Sequence, residues 1–364
     1  MAAIATGDIS RTDEYPVKIC FVSLPGIGGV TMALRAAGLQ PGAAPGQAQR
    51  LRLHVAGKRR AAEGIAAFDL VAEDGGELPA FIAGSHIDVY LAGGLTRQYS
   101  LRNNPAERHR YCIGVLREVA GRGGSAHMHD HLKVGDTIET SLPRNAFALE
   151  ENAPFSLLLA GGIGITPILS MAHRLSALGR DFAFHYSARS AERMAFRNEM
   201  EASAFADKVH FHLDDGPAGQ KLSLANLLAH RPVGAQLYAC GPGGFLDAVI
   251  GSAKVLWPSE AVHREYFANA TPTTGDRPFR VTLAGDGRSF DIAPGRSIVE
   301  VLGENGIEIQ VSCEQGICGT CVTRVISGVP DHRDLVLTDR QRAAGDRMTP
   351  CCSRALTDEL VLEL

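Results

Sequence analysis

The chain has 364 residues, 45% of them apolar, and carries 36 basic against 40 acidic residues for a formal net charge of −4. That length predicts two or three domains, each with a core of its own, and the near-balanced charge argues against nucleic acid or an anionic membrane as partner. Eight cysteines are too sparse for a disulfide scaffold, which points to the reducing cytoplasm.

Residues 19–34 are largely apolar and follow Lys18, in the manner of a signal peptide. Pro25, Gly26, Gly28 and Gly29 interrupt the run, and Asp8, Asp13 and Glu14 precede it. No apolar run of the roughly 20 residues needed to span a bilayer is present. Residues 1–47 are expected to be an N-terminal extension ending in a linker at 43–47, with no role assigned.

From 48 to 152 the pattern is one of short strands. Residues 51–56 alternate apolar and polar, and further strands are expected at 68–71, 87–91, 111–115 and 137–141, separated by Gly- and Asp-bearing turns. Such spacing predicts an antiparallel barrel. Within it Arg97-Gln98-Tyr99-Ser100 sets a guanidinium and a phenol on one side of a strand. The pair could share a ligand, one group gripping a phosphate and the other offering a flat ring. Ser100 could meet the same ligand by its backbone or hydroxyl. Gly121-Arg122-Gly123-Gly124-Ser125 then leads into a short helix at 126–132, capped by Ser125, where exposed N–H groups suit a phosphate. His127, His129 and His131 recur every second residue, which spreads them around a helix and disfavours a shared metal.

From 153 to 267 strands alternate with helices, as a parallel α/β sheet requires. The apolar stretch 155–160 runs into Gly161-Gly162-Ile163-Gly164-Ile165-Thr166-Pro167 and a helix at 168–178, the strand–turn–helix that seats a dinucleotide pyrophosphate. Pro167 departs from the usual glycine fingerprint. Strands follow at 182–186, 209–213 and 236–240, with helices at 191–202, 222–229 and 244–255. Cys240-Gly241-Pro242 therefore ends a strand, where ligands sit in such sheets. Arg189 and Arg193 follow the second strand and no acid closes it, so NADH and NADPH both remain open.

Residues 268–277, rich in Thr, Pro, Gly and Asp, read as an exposed linker. In 278–364 a hairpin is expected at Asp286-Gly287, then a helix at 297–305 with Gly306 as its left-handed cap. Cys313, Cys318 and Cys321 are spaced C-x4-C-x2-C, and a distant Cys351-Cys352 follows. Four thiolates, three of them on one wrapping loop, are what a plant-type 2Fe-2S cluster needs. A zinc ribbon prefers two C-x2-C pairs, and only Cys318 and Cys321 form one. Cys351 and Cys352 compete for the fourth position.

Taken in order, Arg97-Gln-Tyr-Ser-Leu, Gly121-Arg-Gly-Gly-Ser, Gly161-Gly-Ile-Gly-Ile-Thr-Pro, Cys240-Gly-Pro, Glu265-Tyr-Phe and the cluster loop resemble the phthalate dioxygenase reductase family, which includes the vanillate demethylase reductases. The resemblance spans residues 50–364. It implies a multidomain protein of α/β and β type: an antiparallel flavin-binding barrel, a parallel α/β nucleotide-binding domain and a C-terminal ferredoxin domain of the β-grasp type. It further implies FMN, with FAD the alternative, bound by Arg97, Tyr99, Ser100, Gly124 and Ser125. Gly162, Thr166 and Cys240 would lie near the nicotinamide nucleotide, NADH rather than NADPH, and Glu265 and Phe267 would close over the flavin site. The Pro350-Cys-Cys-Ser-Arg ending makes Cys351 the fourth ligand beside Cys313, Cys318 and Cys321. The implied activity is an NADH-dependent reductase passing electrons through FMN and the cluster to a Rieske-type oxygenase, as a cytoplasmic monomer. Rivals are a stand-alone oxidase or diaphorase, a donor to a haem monooxygenase, and a non-enzymatic electron carrier.

Overall fold

The computed structural model describes residues 49–118, 121, 123–268 and 273–364. The N-terminal extension, Arg122 and the centre of the expected linker lie outside these. None of the described helices is long and apolar enough to cross a membrane.

The first unit is built from strands β1 (Arg50–Ala62), β2 (Ile65–Ala72), β3 (Ser85–Tyr90), β4 (Thr96–Ser100), β5 (Tyr111–Leu116), β6 (Thr137–Ser141) and β7 (Arg144–Asn145), with helix α1 (Gly124–Asp130) after β5. They pair antiparallel in the order β4-β3-β6-β1-β2-β5, and β7 joins β3. A bridge from Leu101 to Ile113 brings the end of β4 to β5 and curls the sheet closed. Leu53, Phe68, Leu70, Ile87, Val89 and Ile113 fill its interior. Lys58 fastens α1 by donating to the carbonyls of Met128, His129 and Leu132 at 3.3, 2.6 and 2.7 Å, the favourable place for a cation at a helix C-terminus. The helix starts two residues before the expected position, and its cap is Gly123 rather than Ser125. A φ of 82° at Gly123 reverses the chain early, leaving Ser125 in the first turn to accept from the Glu118 N–H at 3.0 Å.

The second unit comprises β8 (Ser156–Gly161), α2 (Ile165–Ala177), β9 (Phe182–Ala188), α3 (Arg197–Glu201), β10 (Val209–Leu213), α4 (Leu224–Ala229), β11 (Gln236–Gly241), α5 (Gly243–Ala253) and β12 (Val262–Tyr266). Its sheet is parallel in the order β10-β9-β8-β11-β12, with β8 wholly buried at the centre. Pro167 falls in the first turn of α2, where no backbone donor is required. The helix expected at 191–202 is instead a 3₁₀ turn at 191–193 and the short α3, divided by Phe196 at φ 61°. Strand β12 was not expected, because Val-His-Arg-Glu-Tyr at a sheet edge has no continuous apolar run. Ala62, Ile65 and Ala67 of the barrel pack in one core with Ile165, Ile168 and Phe184.

The third unit holds β13 (Phe279–Leu283), β14 (Ser289–Ile292), α6 (Ile298–Glu304), β15 (Thr323–Ser327), β16 (Pro330–Asp331), α7 (Asp339–Ala344), β17 (Arg347–Met348), β18 (Arg354–Ala355) and β19 (Glu359–Glu363). Parallel pairing of β13 with β19 at the centre of β14-β13-β19-β15-β17 gives the ferredoxin layout. A capping box of Ser297 and Glu300 starts α6. Residues 273–275 and 277 of the expected linker are exposed, but the Asp276 side chain turns inward, accepting from Arg333 Nη1 at 2.7 Å and from the Gly295 N–H at 3.0 Å, so the chain is pinned there.

Candidate functional site

Register between β3 and β4 sets Ile87 opposite Tyr99 and Val89 opposite Arg97, while His86 faces Ser100 and Asp88 faces Gln98. Arg97 and Tyr99 thus share one face of β4, as the alternation predicted. Arg97 crosses the start of α1 so closely that a methyl group on Gly124 would stand 2.6 Å from its Cγ and Nε. The glycine makes room for the guanidinium beside the helix N–H groups. The Tyr99 hydroxyl is buried without a hydrogen-bond partner among the described residues, an arrangement that wants an acceptor from a ligand. Burial pushes its pKa up, with Arg97 opposing. A flavin phosphate and ring fit this cradle. The His129 ring bonds the Val115 carbonyl at 2.8 Å, while the His127 and His131 rings pair 5.1 Å apart, so the three do not converge.

On the other face of β4, Ser100 Oγ lies 3.3 Å from Glu265 Oε2. Glu265 sits on β12 directly beside Cys240 of β11, their side chains 4.0 Å apart. Burial lifts the Glu265 carboxyl to about 8, with the Ser100 bond opposing, so the group holds a proton near neutrality. Cys240 is fully buried, and burial followed by the Glu265 carboxylate raises its thiol well above the ordinary value. Gly164 packs against this strand end so tightly that a Cβ would stand 2.2 Å from the Cys240 carbonyl oxygen. Gly162, at φ 53°, opens the turn with no atom near its missing side chain. Thr166 is buried, its hydroxyl donating to the Ile163 carbonyl at 3.1 Å. Phe267, just beyond β12, is half-buried against the same core.

The cysteine loop wraps as its spacing suggests. Gln315 and Ile317 direct N–H groups at Cys313 Sγ, both at 3.4 Å, and Thr320 N–H lies 3.5 Å from Cys318 Sγ. Gly316 and Gly319 have φ of 69° and 76°. Thiols of Cys313 and Cys318, of Cys313 and Cys351, and of Cys321 and Cys351 are within hydrogen-bonding reach. Cys352 touches Cys351 but turns toward Thr349 Oγ1 at 3.3 Å and fills the space over Gly316. A sulfur-rich pocket lined by backbone donors fits a 2Fe-2S cluster.

Residues that the sequence did not single out join these two sites. Ser312, next to Cys313, bonds Asp88 on β3, which also engages Gln98 and Arg144. His86 lies alongside, its imidazole pushed down to about 4 by burial and by Arg144, with Asp88 and Cys313 opposing. Only the odd members of Arg97-Gln98-Tyr99 drew notice, and Asp88 and Ser312 are 224 positions apart. Arg354, which enters the sequence reading only as the end of the Pro350-Cys-Cys-Ser-Arg motif, has a structural part as well. Buried, it donates to the carbonyls of Arg296, Arg277 and Ala293 at 2.6, 3.1 and 3.1 Å and ties the cluster tail to the rest of its domain.

Comparison with known proteins agrees with this layout. Residues 281–356 match the family described as 2Fe-2S iron-sulfur cluster binding domain. The vanillate O-demethylase oxidoreductase of Pseudomonas sp. (strain HR199 / DSM 7063) is 50% identical over 312 residues, 85% of this chain and 98% of the relative. The solved phthalate dioxygenase reductase, described as a modular structure for electron transfer from pyridine nucleotides to [2Fe-2S], is 40% identical with a TM-score of 0.71, covering 86% of this chain and 98% of its own. An intact type IV self-sufficient cytochrome P450 monooxygenase is 37% identical with a TM-score of 0.72, over 86% of this chain and 41% of that one.

Proposed function

Because the chain belongs to the phthalate dioxygenase reductase family, we propose that it oxidises NADH and delivers single electrons to a Rieske-type oxygenase acting in aromatic ring hydroxylation or O-demethylation. A bound flavin supplies the conversion from a hydride to single electrons, and a 2Fe-2S cluster supplies the one-electron outlet. The chain's own work is to bind, orient and exclude water.

Arg97 and the N–H groups at Gly124 and Ser125 hold the flavin phosphate, Tyr99 offers its ring and hydroxyl, and Ser100 aligns the flavin toward the nucleotide side. The flavin is FMN. In support, the next guanidinium along, Arg102, is buried against Glu199 at 2.8 and 2.9 Å and stacked on Phe196, so among the described residues Arg97 is the guanidinium that lies against Gly124. Gly162 and the start of α2 receive the NADH pyrophosphate, with Thr166 bracing the turn. Cys240, Glu265 and Phe267 shape the nicotinamide end, where a protonated Glu265 adds no negative charge beside the incoming hydride. Cys313, Cys318, Cys321 and Cys351 hold the cluster, supported by the reach of Cys351 to both Cys313 and Cys321. The protein is proposed to act as a monomer in the cytoplasm.

One observation carries this reading: a single face of β3 and β4 holds Ser100 against Glu265 and Asp88 against Ser312, so the nucleotide unit and the cysteine loop meet the strand of Arg97 and Tyr99 side by side. Heat release of the flavin, its identification by mass, and anaerobic titration with NADH test it. FMN in the supernatant and stepwise bleaching of flavin and cluster are expected; FAD would overturn the cofactor assignment. The likeness to the P450 monooxygenase favours a second reading, a haem acceptor. Comparing reduction of a Rieske oxygenase with that of a P450 haem domain by the purified protein separates the two.

A further inference from the structure

The Asp88 side chain is 5% exposed. Its Oδ1 accepts from Gln98 Nε2 at 3.1 Å and from Ser312 Oγ at 2.9 Å, and its Oδ2 is paired with Arg144. Its own N–H donates to Ser141 Oγ at 2.9 Å. All of these partners but Ser312 belong to the barrel. An ionised carboxylate only accepts, so each donor is held at a fixed place around it. Ser312 is itself buried and immediately precedes Cys313.

We propose that Asp88 is a positioning residue for electron transfer: fixed by Arg144 and Gln98, it grips Ser312 and so sets the distance and angle of the cysteine loop relative to the flavin strand. The inference rests on the reductase reading and deepens it. The step it serves moves one electron from reduced flavin to oxidised cluster, with no bond made or broken. A lost grip therefore leaves NADH oxidation by the flavin intact and slows only the reduction of the cluster. Gln98, between Arg97 and Tyr99 on β4, couples the carboxylate to the strand that carries the flavin residues.

The test uses holoprotein carrying Ser312→Ala, Ser312→Thr or Asp88→Asn. Flavin and iron content are measured, flavin bleaching and cluster reduction by NADH are resolved by anaerobic rapid mixing, and hydrogen exchange is followed at residues 311–318. In Ser312→Ala we expect native flavin bleaching, cluster reduction slowed on the order of tenfold or more, as ångström misplacements do, and faster exchange in the loop. Ser312→Thr, which keeps the hydroxyl, restores both. Cluster reduction at the native rate, or unchanged loop exchange, overturns the proposal. Should Ser312→Ala fail to load iron, Asp88→Asn, remote in sequence from the cysteines, is read by the same two measurements. If NADH fails to bleach the flavin of the native protein, the reductase reading falls, while loop exchange still decides whether Asp88 anchors the loop.

Discussion

Where the barrel meets the nucleotide unit, Ala62, Ile65 and Ala67 share a core with Ile165, Ile168 and Phe184. Where it meets the cluster domain, a buried carboxylate gathers a hydroxyl, an amide and a guanidinium. The first contact is broad and non-directional, suited to holding two units as one body. The second is directional: a hydrogen bond weakens steeply with angle and costs its full desolvation when one partner is removed. Hydride transfer needs a stable cleft, whereas one-electron transfer depends on the spacing of two centres held by different domains.

Cutting the outlet gives the largest contrast. Cys351→Ser is expected to abolish the iron content and the reduction of cytochrome c while NADH still bleaches the flavin. Cys352→Ser keeps its iron, which elemental analysis and electron paramagnetic resonance check. Gly164→Val acts instead inside the nucleotide unit: its side chain would drive into the Cys240 carbonyl. Flavin reduction by NADH should fall about 100-fold, while dithionite still reduces the cluster.

Smaller effects sharpen the comparison. Arg354→Ala removes a buried guanidinium from three carbonyls and from Asp276. It should destabilise the cluster domain by about 3 kcal/mol in thermal unfolding and leave flavin bleaching unchanged. Glu265 gives a pH signature. Its carboxyl titrates near 8 when folded against an ordinary 4.5, so the folded state keeps a proton that the unfolded chain releases. That contribution is complete below about 4.5 and is lost as pH rises through about 8. Glu265→Gln should flatten the fall in melting temperature across this window, read by calorimetry from pH 5 to pH 9.

The cysteine loop was legible because spacing is the chemistry there, and the glycine turn before α2 because a strand, a reversal and a helix leave local marks. The alternation of Arg97 and Tyr99 correctly gave their shared face. The cap at Gly123 was missed because a left-handed residue can substitute for a hydroxyl. Strand β12, the broken α3 and the buried Asp276 depend on tertiary partners: a neighbouring strand, the strained Phe196, and Arg333 some 57 positions away. Asp88 looked like an ordinary polar member of an alternating strand, since nothing near it in sequence announces Ser312.

In the proposed pathway electrons reach the flavin from the Glu265 side of β4 and leave it for the cluster on the side where Asp88 holds Ser312. Rapid freeze-quench after mixing with NADH, comparing native protein, Glu265→Ala and Ser312→Ala, tests it directly. Glu265→Ala, which removes the side chain between Ser100 and Cys240, is expected to delay both flavin bleaching and the cluster signal, whereas Ser312→Ala delays only the cluster signal. A cluster signal that rises before the flavin bleaches, or a Ser312→Ala protein slowed in the first phase, would contradict it.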